Sequence, residues 1–329
     1  MRTPSINKSR VVNYLNTGKP LLLDGGMSNQ LEDQGFDLNN ALWSAHLLVS
    51  DPDAIVQAHL HYLNAGAQCL ITASYQASLD GLMQVNFPSH SSEADTSENY
   101  LSKDQAIDLI FSSVSLAEQA VNQFCLENAN ALRPFIAASI GPYGAYLADG
   151  SEYNGNYGVS DEVISDHHQA QIAILEKTGA DMLACETVPS IQEARVLKSL
   201  LEKTSMPAWL SFSCMNGKQL NDGSPIEKCV ALFSDSSNPI ALGVNCTNPK
   251  YMVELIERIK SVCPNKFIIV YPNSGEDYDA SNKTWHGTAT PSECGNASQH
   301  WLNAGANIIG GCCRMGPEHI ISIKNHLPL

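Results

Sequence analysis

Residues 308–316 read IIGGCCRMG: two cysteines side by side, behind two glycines, at the end of an apolar run. Packing alone asks for no pair of adjacent thiols. A third cysteine, Cys246, closes another short apolar run, ALGVNCT at 241–247. If both runs are strands that deliver their ends to one mouth, Cys246, Cys312 and Cys313 can reach a single ion. Zinc is the natural guest, because soft thiolates bind it at about 2.3 Å. Three protein ligands leave a fourth position open, which is the arrangement of a catalytic rather than a structural site. Adjacent strand residues point to opposite faces. Both vicinal cysteines can therefore ligate only if the chain turns sharply, a freedom that Gly310 and Gly311 would supply. Two plainer readings stay open on these residues: buried core cysteines, and a vicinal disulfide.

Two carboxylates occupy similar places. Asp24 lies in PLLLDGG at 20–26, and Glu186 in ADMLACETV at 180–188. Each also has an ordinary explanation, Asp24 as a turn residue before Gly25 and Gly26 and Glu186 as an exposed strand end. Asn245, next to Cys246, reads as support for that ligand or as turn chemistry.

Something must hold these residues together. Eight short apolar runs fall at 20–26, 67–75, 134–141, 180–188, 207–214, 241–247, 266–275 and 306–314. Their hydrophobicity is continuous rather than alternating, as expected of parallel strands buried on both faces. Helical segments separate them. In SDPDAIVQAHLHYLNAG, Asp51 is an N-cap, Pro52 suits the first helical position, and Gly66 ends the helix. NPKYMVELIERIKSV repeats the scheme from Asn248 and Pro249, and a further helix runs from near Ser160 to Gly179. A weak repeat, LNAGAQCLITAS, EKTGADMLACET and LNAGANIIGGCC, brings each helix to Gly-Ala before a strand and places Glu186 and Cys312 at matching heights. Eight such units predict a single-domain (β/α)8 barrel over residues 1–329, with a doubly wound open sheet as the alternative. Polar or Gly/Tyr-rich stretches at 85–102, 143–160 and 273–290 read as insertions at the strand C-termini, where barrel active sites are built.

Composition narrows the function. Lys and Arg number 19 against 34 Asp and Glu, so the net charge of −15 disfavours a nucleic-acid partner. No apolar run is long enough to span a bilayer, and MRTPSINKSRVVNYL has no signal-peptide core, so no membrane association and a cytoplasmic address are expected. Most of the ten cysteines sit in apolar runs and read as small buried hydrophobes. His59, His61, His167 and His168 lie in helical patterns and read as surface residues rather than ligands.

Several stretches together resemble the homocysteine S-methyltransferases, zinc-dependent thiol methylases. They are LLLDGGMSNQLEDQG at 21–35, NNALWSA at 39–45, ITASYQAS at 71–78, SIGPYGAYLADGSEYNGNYG at 139–158, ACETVPSIQEA at 184–194, GVNCTNP at 243–249, VYPNSGE at 270–276 and IIGGCCRMGP at 308–317. The likeness is greatest to the short enzymes that use S-methylmethionine or S-adenosylmethionine. It is weaker to betaine–homocysteine methyltransferases, which carry a C-terminal oligomerisation arm. With the chain ending at Leu329, a monomer is expected.

The resemblance implies Cys246, Cys312 and Cys313 as ligands of Zn2+, with the homocysteine sulfur at the open position. It implies that Asp24 and Glu186 hold the substrate ammonium, and amides around Gly25, Gly26 and Met27 could take its carboxylate. Asn245 is placed with the substrate-binding set, and Trp43 and Tyr75 with the pocket for a sulfonium methyl donor, since aromatic faces bind such cations. Tyr143, Tyr146, Tyr153 and Tyr157 crowd the stretch after the third apolar run, and which of them closes over the donor is left open. Other expectations compatible with the residues are a different thiol or selenol acceptor, and a non-catalytic zinc- or thiol-binding barrel.

Overall fold

The computed structural model describes residues 9–38, 43–85, 100–275, 277–279, 284–286 and 290–329; of residues 43–44, 277–279 and 284–286 only the backbone is described. Each apolar run becomes a strand: β1 Leu21–Leu22, β2 Cys69–Ile71, β3 Phe135–Ile140, β4 Met182–Val188, β5 Ala208–Phe212, β6 Ala241–Asn245, β7 Phe267–Tyr271 and β8 Ile308–Ile309. All pair in parallel, β2 to β7 in sequence order, then β7 with β8 and β8 with β1. The ring is completed by a parallel bridge between Leu23 and Cys69 and by the Gln68 amide on the Leu22 carbonyl (2.8 Å). The result is the expected (β/α)8 barrel. A short antiparallel hairpin, Asp277–Asp279 with Thr284–His286, lies within the last insertion.

The helices start and stop largely as their capping residues dictate. Asp51 accepts from the Ala54 amide (3.2 Å) at the head of Pro52–Ala65, and Gly66 ends that helix at φ 109°. Thr290 and Glu293 form a reciprocal capping box on Pro291–Ala304, which ends at Gly305, φ 120°. The Gly179 expectation is corrected. Asp161–Leu175 stops with Glu176 as its C-cap, four residues before that glycine, and Gly179 is not among the glycines with positive φ. The repeat is therefore looser than its spelling.

Strand alternation sorts the buried residues into two cores. Leu22, Leu70, Ile136, Leu183, Leu210, Leu242 and Val270 face the helices. Leu21, Leu23, Phe135, Met182, Ala184, Trp209, Ala241 and Ile269 fill the barrel interior. The helix Arg10–Leu15 adds Val11, Val12 and Leu15 to that interior cluster. Arg10 donates to the carbonyls of Arg133 and Pro134, beside the start of β3, so this helix plugs the N-terminal end. The opposite end is left for the site.

Candidate active site

The interior changes character at its last layer. Counting in twos along the strands from the apolar interior residues leads to Ser139, Glu186, Ser211, Asn245 and Tyr271, all buried. Glu186 accepts from the Ser139 hydroxyl (2.5 Å) and the Tyr271 hydroxyl (3.0 Å). The Trp209 indole donates to Tyr271 (3.0 Å), and Ser211 links Tyr271 (2.6 Å) to Asn245 (2.8 Å). Glu186 is thus no exposed strand end. Burial raises its carboxyl to about 7, against the two hydrogen bonds that lower it. Asp24 is also buried. One of its oxygens accepts from the Ile71 amide (2.8 Å), while the other has no partner among the described residues. Burial, and to a lesser degree the charge of Glu186, raise the Asp24 carboxyl well above its ordinary value. Among the described residues, no Lys, Arg or His lines the cavity that Glu186 faces. Two desolvated carboxylates without a protein cation call for a cationic ligand.

The three cysteines meet at this cavity. Their sulfurs all lie within 4.8 Å of one another. Cys246 and Cys312 are joined as a disulfide, Cα atoms 5.6 Å apart, with the Cys313 sulfur 3.7 Å from Cys246 and 4.0 Å from Cys312. The vicinal disulfide that the sequence left open is not formed, and the three thiols expected to converge stand as one free thiol, Cys313, and one bridged pair. The convergence that suits a thiolate cage also brings two sulfurs within bonding reach when no cation separates them. The donor set fits a soft metal once that pair is reduced. Burial holds the Cys313 thiol at about 11, so it stays neutral near pH 7 unless a cation replaces its proton.

The turns that aim these sulfurs differ from expectation. Gly310 and Gly311 are not in the left-handed region; a side chain on either would collide with Leu23 or Met315. The sharp turns fall on non-glycine residues instead, at Cys246 (φ 44°) and Arg314 (φ 65°), with Thr187 (φ 62°) beside Glu186. Such conformations cost about 1–3 kcal/mol each and cluster at functional sites. Asn245 braces them. It accepts from the Thr187 amide (2.7 Å), donates to the Thr187 hydroxyl (2.8 Å), and lies 3.9 Å from the Cys312 sulfur. Its side chain is spent on the frame, and Asn245 is not among the cavity-lining residues.

Gly25, Gly26, Met27 and Tyr75 do line the cavity, which encloses about 820 Å³ including its open mouth. The Gly26 amide, however, already donates to the Met315 carbonyl (3.0 Å), so it is not available to a substrate carboxylate. Trp43 begins a 3-10 turn, Trp43–His46, and its side chain lies outside the described residues.

The loop after β3 supplies two lining residues that the motif reading did not single out together, Glu152 and Tyr153. Tyr143 and Tyr146 instead pack with His167, and Tyr157 packs on Tyr143. The stems of this loop are tied to one buried carboxylate, Glu193, in the first turn of the helix Ile191–Leu201. Glu193 accepts from the Tyr143 amide (2.6 Å) and the Tyr157 hydroxyl (2.7 Å), and it contacts the His168 ring (2.7 Å). The surface expectation holds for His61 alone of the four histidines; His59, His167 and His168 are buried. Burial lowers His59 and His167 to about 3, so both are neutral.

Residues 21–327 match the family model for homocysteine S-methyltransferase. A Bacillus subtilis protein named homocysteine S-methyltransferase YbgG is 42% identical over 317 residues, covering 95% of this chain and 96% of its own. A selenocysteine methyltransferase of Astragalus bisulcatus is 38% identical over 325 residues, covering 93% and 92%. Among solved structures, the metallated form of the Escherichia coli homocysteine methyltransferase MmuM superposes with a TM-score of 0.80 at 36% identity, covering 95% of this chain and 98% of that one. The oxidized form of the same protein gives 0.80 at 37% identity, covering 93% and 95%.

Proposed function

The chain belongs to the homocysteine S-methyltransferase family and is a methyltransferase acting on homocysteine; we propose that Cys246, Cys312 and Cys313, once reduced, hold Zn2+ and that the methyl donor is a sulfonium. The observation that carries this reading is the convergence of three sulfurs on one cavity with the buried Glu186, whose charge acts in turn on the buried Asp24. Bound zinc would keep the substrate thiol ionised yet nucleophilic, where a free thiol of pKa about 8.5 is mostly protonated at neutral pH.

The chain's own residues bind and align. Asp24 and Glu186 take the homocysteine ammonium, whose charge relieves their mutual repulsion. Its carboxylate lies against the amides of Gly25 and Met27. Ser139 and Tyr271 fix the Glu186 carboxylate, and Asn245 fixes the backbone that carries Thr187. On the donor side, Tyr75 and Trp43 offer aromatic faces to the sulfonium. The homocysteine sulfur forms a bond to the donor methyl as the donor's S–CH3 bond breaks. The bonding pair stays on the donor sulfur, which leaves as a neutral thioether, so no general acid is required. Holding the two sulfurs in line is the main work of the cavity.

A direct test uses the reduced, zinc-loaded protein with homocysteine and either S-methylmethionine or S-adenosylmethionine. Methionine formation that is lost on chelation and restored by zinc supports the reading. Equal rates with homocysteine and with a thiol lacking the amino-acid portion would defeat the Asp24/Glu186 clamp. The Astragalus relative makes a selenol acceptor the second reading, and selenocysteine in the same assay separates the two.

A further inference from the structure

Glu152 lines the cavity together with Glu186, and neither the ammonium clamp nor the sulfur cluster uses it. It lies in the turn Ser151–Tyr153 of the loop after β3 and is only 6% exposed. One of its oxygens is buried with no hydrogen-bond partner among the described residues, and no ion pair to it is formed among them. A desolvated, unpartnered carboxylate is an unstable arrangement unless a ligand completes it. Burial raises its carboxyl above the ordinary value, as expected of a charge awaiting a counter-ion.

Its position is not an accident of a loose loop. Glu193 ties both stems, through Tyr143 on one side of Glu152 and Tyr157 on the other. Gly144 backs the turn so closely that a Cβ there would overlap the Glu152 backbone. Glu152 shares the cavity with Tyr75 and Tyr153, and its charge acts on the Tyr75 hydroxyl. A carboxylate flanked by aromatic rings suits a cation that has no N–H to donate.

We propose that Glu152 is the residue that selects the positive charge of the methyl donor, facing its sulfonium centre between Tyr75 and Tyr153. The inference rests on the sulfonium-donor reading and assigns the residue that reads the charge. The chemistry sets a specific signature. The sulfonium loses its charge as the methyl leaves, so Glu152 favours bound donor over the transition state. Its loss should weaken donor binding more than it slows turnover. The neutral thioether product also loses this partner, which favours its release.

The test compares wild type with Glu152→Gln, using S-methylmethionine as donor and homoleucine as a competitor. Homoleucine (2-amino-5-methylhexanoate) keeps the amino-acid end and replaces the sulfonium with a neutral CH. The expected result is a rise of about tenfold to a hundredfold in donor KM, with kcat falling far less than kcat/KM. The homoleucine inhibition constant and the homocysteine KM should hold within about twofold of wild type. Glu152→Asp, which keeps the charge, should recover part of the donor affinity and serves as the measurement if the Gln variant does not fold. An unchanged donor KM overturns the proposal, as does an equal loss for donor and homoleucine, which would place Glu152 on the donor's ammonium. Loss of homocysteine affinity with donor KM intact would instead count against the assignment of Asp24 and Glu186 as the acceptor clamp.

Discussion

Glu186 and Glu193 belong to the same β4–helix unit, and both are buried carboxylates, yet they do opposite things. Glu193 is saturated by the protein: a backbone amide, a phenol and an imidazole converge on it from elements that flank the cavity. Glu186 has two hydroxyl partners, faces the cavity, and acts by its charge on Asp24, one oxygen of which has no partner among the described residues. The difference teaches how to tell a strut from a site. A buried charge whose hydrogen bonds are complete holds structure, whereas one left incomplete beside a cavity is waiting for a ligand.

Perturbing each side of the contrast should separate the two roles, and the metal cluster sets the upper end of the scale. Cys246→Ala and Cys312→Ala should each lower zinc content together with kcat/KM, by more than about a hundredfold, while circular dichroism stays native; zinc analysis and steady-state assays check this. Glu193→Ala strands three polar groups in the interior and should cost about 3–5 kcal/mol of stability. Chemical denaturation reads the loss, and the donor KM should rise because both loop stems are released. Glu186→Gln should raise the homocysteine KM by about tenfold to a hundredfold, with a smaller change for the donor.

A pH series sharpens the same contrast. The folded protein holds Glu186 at about 7, above the ordinary carboxyl value of 4.5. A carboxyl raised on folding favours the native state fully below its unfolded pKa and loses that advantage as pH climbs through its folded one. Wild type should therefore lose up to about 2–3 kcal/mol between pH 4.5 and pH 8 from this group, and Glu186→Gln should lack that part of the slope. Methionine, which brings the ammonium without the thiol, should bind wild type more tightly as pH rises through about 7. Titration calorimetry from pH 6 to pH 8 measures it. The smallest effect is expected from Tyr271→Phe, which removes one of two hydroxyls on Glu186 and should cost about 1 kcal/mol in acceptor binding.

Much of this was legible in the chain. The eight apolar runs became eight strands because each is hydrophobic on both faces, the requirement for a sheet covered by helices outside and packed within. The convergence of Cys246 with Cys312 and Cys313 follows from their places at strand ends. What stayed hidden depends on conformation or on distant partners. Left-handed backbone at Cys246 and Arg314 has no glycine to announce it. Glu193 and His168 look like solvated helix residues, and only tertiary packing buries them against the tyrosine loop. Tyr271 was within reach of the sequence, since counting in twos from Phe267 and Ile269 turns it inward beside Glu186.

The central claim is that three protein sulfurs hold zinc and leave room for the substrate's own sulfur. X-ray absorption at the zinc edge, on reduced protein before and after homocysteine is added, counts those neighbours directly. The account predicts three sulfurs near 2.3 Å in the free protein and four after addition. A sulfur count that does not change when homocysteine binds would contradict it.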